Sequence, residues 1–180
     1  VGWGGGRGGW GGAFRGGGAG GGVALLGEGP LGGTCVNVGC VPKKAMWLAA
    51  DLAHKLSMAR ELGFDMPDVP PALDWATFIT HRQRYITNIH GSYEQRLDAS
   101  NIALLPVRGR LMGPNTVDCS DGIRLSLQHI LIATGGRPHR PAIPGEELGI
   151  DYDGVFHTSP APEPQRIIGS CYLPCQLAAC

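Results

Sequence analysis

Apolar residues recur at helical spacing in two long stretches of the chain. Between residues 40 and 62 they stand three or four positions apart, and Gly63 follows as a helix stop. The second stretch, about 75–98, carries one broad apolar face and is preceded by Asp74, a residue type that caps helix N-termini. Prolines and aspartates at 64–73 predict a loop between the two. The pattern therefore predicts two long helices before residue 100.

From residue 101 onward, short apolar runs alternate with turn residues. Gly113-Pro114-Asn115 and Ser120-Asp121-Gly122 are turn sequences, and Thr134-Gly135-Gly136 ends the last run. These features predict a β-meander over about 101–127, followed by one further, fully apolar strand. The predicted strands are 102–107, 116–119, 123–127 and 130–133.

Most of the first 22 residues are glycine, and the simplest interpretation is a flexible low-complexity tail. Gly4-Gly5-Gly6-Arg7-Gly8-Gly9 nevertheless satisfies the GxGxxG pattern. The apolar run 23–26 and then Glu28 follow it in the order of a dinucleotide-binding βαβ unit, in which glycines approach a pyrophosphate and an acid about 20 residues on binds the ribose. In a glycine run this pattern arises easily by chance. Each further glycine also weakens the helix that should follow, by about 1 kcal/mol relative to Ala.

Cys35 and Cys40 lie in one short run that is entered by a Gly-Gly pair and left by Pro-Lys-Lys. A disulfide needs Cα atoms within about 7 Å, whereas residues five apart in a helix are about 7.5 Å apart along its axis. We therefore expect Cys35 in the glycine-rich turn before the first long helix and Cys40 in its first turn. A helix N-terminus and the nearby Lys43 and Lys44 favour a thiolate. We interpret the pair as redox-active; a zinc half-site or two buried structural thiols remain as alternatives.

Composition excludes several classes of function. The chain has 15 basic and 15 acidic residues, which gives no electrostatic footprint for nucleic acid. No apolar run reaches the roughly 18 residues of a membrane span. Six cysteines are too few for the disulfide framework of a secreted scaffold of this length. We predict no nucleic-acid partner, no membrane segment and no metal site. Both termini look like interrupted strand and turn signals, so we expect a fragment.

The run Leu31-Gly-Gly-Thr-Cys-Val-Asn-Val-Gly-Cys-Val-Pro-Lys-Lys-Ala-Met-Trp47 resembles the active-site segment of the class I flavin-dependent pyridine nucleotide-disulfide oxidoreductases, and in particular of the glutathione reductase family. Segments 92–94, 129–138 and 149–156 resemble the same family. The resemblance implies an α/β, three-layer, FAD/NAD(P)-binding Rossmann-like fold of the disulfide reductase type, truncated. Residues 1–157 would be the first segment of the FAD-binding domain, and 158–180 a linker and the start of a truncated NADPH-binding domain.

The resemblance also implies residue roles. Cys40 would face the flavin, Cys35 would be the interchange thiol that attacks the substrate, and Tyr93 would reach the disulfide substrate. Without the family, Tyr93 is simply a half-buried helix residue. The histidines at 81, 90, 129 and 157 have no local partner, which favours surface or capping positions. The implied cofactor-binding residues are Gly4, Gly6, Gly8, Gly9, Glu28, Thr34, Cys35, Lys43, Gly109, Ala133, Thr134 and Gly135.

The function that the resemblance implies is glutathione-disulfide reduction, in which electrons pass from NADPH to FAD, to the Cys35–Cys40 disulfide and to oxidised glutathione. The family implies a cytoplasmic homodimer, and we expect the fragment alone to be inactive. Other hypotheses are a related reductase of the trypanothione, thioredoxin or mercuric type, a non-catalytic flavin-binding remnant, and a thiol-based metal module. Departures from the family are Arg7 in the first glycine turn, Gly27 at the place of the ribose-binding acid, and Cys171 and Pro174 in a second Gly-x-Gly-x-x-Ala turn.

Overall fold

A computed structural model of the chain describes residues 2–3, 7–69, 71–159, 166–169 and 172–178. Its helices and strands alternate in the first part of the chain and are followed by a run of strands. The helices are α1 (Arg7–Gly18), α2 (Gly33–Asn37), α3 (Cys40–Ala59), α4 (Trp75–Ala99), α5 (Tyr152–Val155) and α6 (Tyr172–Ala178), with a 3-10 turn at Glu146–Leu148. The strands are β1 (Gly2–Trp3), β2 (Val23–Leu26), β3 (Ile102–Leu105), β4 (Gly109–Gly113), β5 (Thr116–Cys119), β6 (Arg124–Ser126) and β7 (Leu131–Ile132).

Four of these strands form a parallel sheet in the order β3-β2-β1-β7. The chain passes from β1 through α1 to β2 on one side, and it returns much later to β7 on the other side of β1. The strand order therefore reverses beside β1. In open parallel sheets, ligands bind outside the carboxyl ends of the strands at such a switch point.

Strand β2 separates two apolar clusters. Leu25 packs with α1, α4 and β3 in one cluster, and the next residue, Leu26, packs with Val117 and Cys119 of the antiparallel strands in the other. Both leucines are fully buried, because successive side chains of a strand point to opposite faces. The fold thus has three layers: helices, the parallel sheet, and the antiparallel sheet β4-β5-β6. This confirms the predicted three-layer α/β class.

Helix α1 forms despite its glycines. A Cβ placed at Gly12 would lie 2.2 Å from Leu131 Cδ2, and one at Gly16 would lie 3.0 Å from Val23 Cγ2. The helix therefore lies closer to the sheet than side chains would permit, while Trp10 and Ala13 are buried in the helix-side cluster. Tertiary packing thus outweighs the poor intrinsic propensity. Residues 4–6, which hold part of the GxGxxG pattern, lie outside the described residues.

The two long helices match the sequence predictions. Helix α4 begins directly after Asp74, whose carboxylate accepts a hydrogen bond from the Thr77 backbone N–H at 3.2 Å. Helix α3 begins at Cys40 as expected and ends at Ala59, three residues before the predicted end at 62. Its predicted apolar face is only partly covered: Leu48 and Leu52 are about half accessible to solvent, whereas the other residues of the face are half-buried.

The β-meander is shorter than predicted. Ile102–Leu105, which we assigned to it, pairs in parallel with β2 and belongs to the other sheet. A continuous apolar run of this kind is typical of a strand in a parallel sheet. Strand β4, which the sequence analysis missed, pairs with β5 and contains a register shift between Leu111 and Gly113. Because of this shift, apolar and polar positions do not alternate regularly along β4, and the sequence shows no strand pattern there.

We predict that Asp74 stabilises the fold in a pH-dependent way. Hydrogen bonds from the Thr77 hydroxyl and backbone N–H lower the pKa of Asp74 below its ordinary value of 3.8. The stabilisation should be complete above pH 3.8 and should be lost as the pH falls through the lower pKa of the folded state. Asp74→Asn keeps a capping oxygen but does not titrate. Thermal unfolding from pH 7 to pH 2 should show the wild-type advantage shrinking in acid, and a pH-independent difference would contradict this role.

Candidate active site

The predicted cofactor residues follow the parallel strands at one edge of the sheet. Gly27 and Glu28 come directly after β2, Ala133 directly after β7, and Gly8 lies in the first turn of α1, which follows β1. Because the strands are parallel, these segments share the carboxyl edge, beside the switch point. The structure therefore brings together positions that are more than 100 residues apart in the sequence.

Gly8 and Ala133 are in contact across this edge. A Cβ placed at Gly8 would lie 3.4 Å from Ala133 Cβ. Gly9 is buried, whereas Thr134 and Gly135 are exposed. The first turn of α1 and the turn after β7 thus meet without intervening side chains, which leaves backbone exposed to a ligand at the edge. Gly4 and Gly6 lie outside the described residues.

Glu28 is engaged by a partner that the sequence analysis did not identify. Arg108 donates from Nε to Glu28 Oε2 at 3.0 Å, and its Nη2 lies 2.9 Å from the same oxygen. Arg108 directly precedes Gly109, a buried residue that begins β4. Both side chains of the pair are largely solvent-exposed, and such pairs contribute at most about 1 kcal/mol. Glu28 and Gly109 are therefore neighbours through Arg108, and the carboxylate can exchange this partner for a ligand hydroxyl at little cost.

The cysteine segment, residues 31–40, folds back on itself. Cys35 lies in the middle of the short helix α2, not in an irregular turn as we expected, and Cys40 is the first residue of α3. Cys35 is half-buried and Cys40 is exposed, and both are in the thiol form. No disulfide joins the two cysteines in this structure.

The backbone at Gly39, the residue before Cys40, lies close to the backbone of Cys35. A Cβ placed there would lie 2.7 Å from the backbone oxygen of Thr34 and 3.1 Å from the Cα of Cys35. The residue before Cys40 therefore touches the backbone of Cys35, and any side chain at this position would push the two apart. The Thr34 carbonyl also accepts a hydrogen bond from the Val38 N–H at 3.0 Å, which closes α2.

The Asn37 side chain forms hydrogen bonds with other parts of the cysteine segment and with α4. Its Nδ2 donates to the carbonyl oxygens of Leu31 and Gly33, at 2.9 and 2.8 Å, and its Oδ1 lies 2.8 Å from Nε2 of His90 in α4. His90, for which we expected a surface or capping position, is half-buried, and its hydrogen-bond partner lies 53 residues away in the sequence. Local sequence gives no signal for it. His81, His129 and His157 are exposed, as predicted.

Lys43 lies one helical turn after Cys40 and contacts the end of the described chain. Its Nζ donates to Oε1 of Gln176 and lies 6.0 Å from the centre of the Tyr172 ring. Tyr172 and Gln176 are four residues apart in α6, so they share one face of that helix. The segment predicted to begin an NADPH-binding domain therefore packs beside the lysine predicted to lie near a flavin.

Tyr93 is half-buried and packs on Trp10, with 4.1 Å between the ring centres. Trp10 lies in the first turn and a half of α1, and its indole Nε1 is buried without a hydrogen-bond partner among the described residues. The environment of Tyr93 agrees with that of a half-buried helix residue, and its role toward a substrate remains a prediction. Trp10, which the sequence analysis did not single out, links it to the glycine-rich end of α1.

The chain lacks two features that would change the interpretation of the site, as far as its described residues go. Within the described ranges, no helix is long and apolar enough to cross a membrane. The same part of the chain contains no group of three or more His, Cys, Asp or Glu residues that could hold a metal ion. The cysteine pair therefore has no nearby ligands among these residues with which to complete a zinc site.

The described residues combine a parallel sheet that has a switch point, glycine-lined turns at its carboxyl edge, and the cysteine segment that follows β2. A family model described as pyridine nucleotide-disulphide oxidoreductase matches residues 4–180. The chain belongs to this family.

Three curated relatives are glutathione reductases. That of Yarrowia lipolytica is 41% identical over 168 residues, which is 86% of this chain and 35% of the relative. That of Schizosaccharomyces pombe is 40% identical over 182 residues, covering 97% and 39% of the two chains. The chloroplastic/mitochondrial enzyme of Pisum sativum is 35% identical over 150 residues, covering 83% and 27%. The chain thus spans between 27% and 39% of the length of these relatives.

We predict that Gly39→Ala disturbs the cysteine segment. The added methyl would meet backbone atoms of Thr34 and Cys35, which cannot move aside as a side-chain tip can. We expect a loss of about 1–3 kcal/mol in the free energy of unfolding and slower formation of the Cys35–Cys40 disulfide on mild oxidation. Chemical denaturation and peptide mapping would measure the two effects.

Gly29→Ala is the matched control, because a Cβ at Gly29 meets nothing within 4 Å. It should change the free energy of unfolding by no more than about 0.5 kcal/mol. Equal effects of the two substitutions would show that the close approach at Gly39 does not matter.

Proposed function

We propose that this chain forms the flavin-binding and dithiol part of a glutathione-disulfide reductase. The observation that carries the proposal is the close approach of the backbone at Gly39, the residue before Cys40, to the backbone of Cys35 at the start of α3. The cysteine segment lies a few residues beyond the carboxyl end of β2, so the thiol pair and the candidate cofactor edge are joined by a short connection. The three glutathione reductases among the relatives support the choice of disulfide substrate.

The residues at the carboxyl edge fit an FAD cofactor. A dinucleotide needs backbone that it can approach closely, and the contact between Gly8 and Ala133 provides this. We propose Gly4, Gly6, Gly8 and Gly9 for the pyrophosphate at the N-terminus of α1. The other proposed cofactor contacts are Glu28, Thr34, Cys35, Lys43, Gly109, Ala133, Thr134 and Gly135. When bound, FAD would supply the two-electron transfer that connects NADPH with the disulfide.

Cys35 and Cys40 then account for thiol–disulfide exchange. The Cys35 thiolate attacks one sulfur of glutathione disulfide, forms a mixed disulfide and releases one glutathione thiolate. The Cys40 thiolate attacks the Cys35 sulfur, forms the Cys35–Cys40 disulfide and releases the second glutathione. Two protein thiols are oxidised and one substrate disulfide is reduced, so the electrons balance. Tyr93 is the proposed contact to the substrate.

We propose NADPH as the electron donor because the chain belongs to the pyridine nucleotide-disulphide oxidoreductase family. We propose residues 1–157 as the first segment of the FAD-binding domain and 158–180 as the linker and start of the NADPH-binding domain. Tyr172 and Gln176 from the second unit approach Lys43 from the first.

The assembly and the location are proposed from the family. We propose a homodimer in the cytoplasm, with glutathione disulfide as its small-molecule partner and no nucleic-acid or membrane partner. The relative from Pisum sativum is described as chloroplastic/mitochondrial, so location differs between members with similar sequences.

We predict that the purified chain binds FAD and that its spectrum depends on one of the two cysteines. After incubation with FAD and gel filtration, flavin absorbance should elute with the protein. Reduction with a dithiol should add a long-wavelength band, because a thiolate of Cys40 would lie against the flavin. Cys40→Ser should abolish the band and Cys35→Ser should keep it. The measurement is a visible absorption spectrum before and after reduction.

Cys175→Ser is the control for this experiment, because Cys175 is an exposed thiol in α6, outside the cysteine segment. It should leave the spectrum unchanged. A protein that elutes without flavin would contradict the proposal, and bound metal in an elemental analysis would favour the thiol-based metal module. A band that survives Cys40→Ser but not Cys35→Ser would reverse the two assigned roles.

A further inference from the structure

We infer that His90 is a positioning residue for the Cys35–Cys40 pair and that it acts through Asn37. The inference rests on the proposed function, since it concerns the exchange reaction of that pair. His90 lies in the middle of α4, and Asn37 is the last residue of α2, between the two cysteines. The 2.8 Å hydrogen bond between them ties the cysteine segment to the longest helix of the described chain.

The hydrogen-bonding capacity of Asn37 fixes the direction of this bond. Both Nδ2 hydrogens are directed to backbone carbonyl oxygens, those of Leu31 and Gly33. The Oδ1 atom can only accept, so Nε2 of His90 must carry a hydrogen and donate it. A flipped amide would place its oxygen against two carbonyl oxygens. The three bonds therefore support one another in a single arrangement.

The arrangement connects the cysteines to the core. Leu31 is buried in the helix-side cluster together with Leu97, two turns along α4 from His90. Asn37 and His90 are themselves half-buried, where a hydrogen bond is worth more than at the open surface. His90, Asn37 and the backbone of Leu31 thus form a clamp, which we call the His90 clamp. It holds the C-terminal end of α2 from the side of α4, and the Asn37 side chain also donates to the Gly33 carbonyl at the other end of this short helix.

Helix α2 depends on such support. It has five residues, too few to be stable without tertiary contacts. Asn37 lies two residues after Cys35 and three before Cys40, so a displacement of its side chain moves both thiols. A disulfide tolerates only a narrow range of separations and dihedral angles. When the two thiols are held near that geometry, formation of the disulfide is favoured, because the segment loses less conformational freedom as the S–S bond forms.

The consequence is a shift in the thiol–disulfide equilibrium. Without the His90 clamp, the reduced pair should spread over more conformations and the disulfide should become easier to reduce. Dithiothreitol serves as the reductant: it transfers two electrons to the Cys35–Cys40 disulfide and becomes a cyclic disulfide, and the protein gains two thiols. The equilibrium constant of this exchange reports on the clamp without requiring flavin.

The test compares His90→Leu, His90→Gln and His81→Leu in the full 180-residue chain. Each protein is equilibrated with graded ratios of reduced and oxidised dithiothreitol, alkylated and mapped by mass spectrometry. His90→Leu should shift the equilibrium about fivefold toward thiols, as expected for the loss of one hydrogen bond. His90→Gln, whose Nε2 can replace the donor, should restore the wild-type value to within about twofold. His81→Leu, at an exposed position of the same helix, should have no effect.

Thermal unfolding of the same proteins separates positioning from general stability. A purely structural role would lower the unfolding temperature of His90→Leu without changing the redox equilibrium, and this result would overturn the inference. If His90→Gln folds but does not restore the wild-type thiol–disulfide equilibrium, the inference is overturned as well. If His90→Leu does not fold, the smaller His90→Ala takes its place in the same comparison.

A wild-type chain that forms no Cys35–Cys40 disulfide would overturn the proposed function together with the inference. A wild-type disulfide whose equilibrium does not change on substitution of His90 would overturn the inference alone.

Discussion

Strand β2 is the constraint on which the rest of the structure depends. Two adjacent residues, Leu25 and Leu26, are completely buried on opposite faces of the parallel sheet. Burying each leucine contributes about 1.5–3 kcal/mol, and the two together join the helix layer to the antiparallel layer. This double burial fixes the direction of the chain at the end of β2. Gly27, Glu28 and the cysteine segment come directly after that point in the chain.

The candidate site is assembled from parts whose roles differ physically. The sheet supplies an edge at which backbone is exposed, the close approach at Gly39 brings the backbone of Cys35 near the residue before Cys40, and a hydrogen bond from His90 connects the cysteine segment to α4. The proposed function needs all three parts: the edge for the cofactor, the two cysteines for disulfide exchange, and the hydrogen bonds that hold the cysteine segment. This combination agrees with the family to which the chain belongs, which is described as pyridine nucleotide-disulphide oxidoreductase.

Part of this structure could be predicted from residues that lie close together in the sequence. Asp74 marked the beginning of α4, and the Cys35–Cys40 spacing correctly placed Cys40 at the start of α3. Features that depend on distant residues were not predictable. The glycines of α1 argue against a helix until β7 is packed against it, and the partners His90–Asn37 and Arg108–Glu28 lie 53 and 80 residues apart. Strand β4 was missed because its register shift removes the alternation on which strand prediction relies.

The central claim is that Cys35 and Cys40 form an exchange pair for glutathione disulfide. The most direct measurement is a stoichiometric reaction of the reduced chain with glutathione disulfide, followed by disulfide mapping and quantification of released glutathione. We expect two glutathione thiols per chain, a disulfide between Cys35 and Cys40, and an unmodified thiol at the buried Cys119. Persistent thiols at Cys35 and Cys40, or stable glutathione adducts on both without a bond between them, would contradict the account.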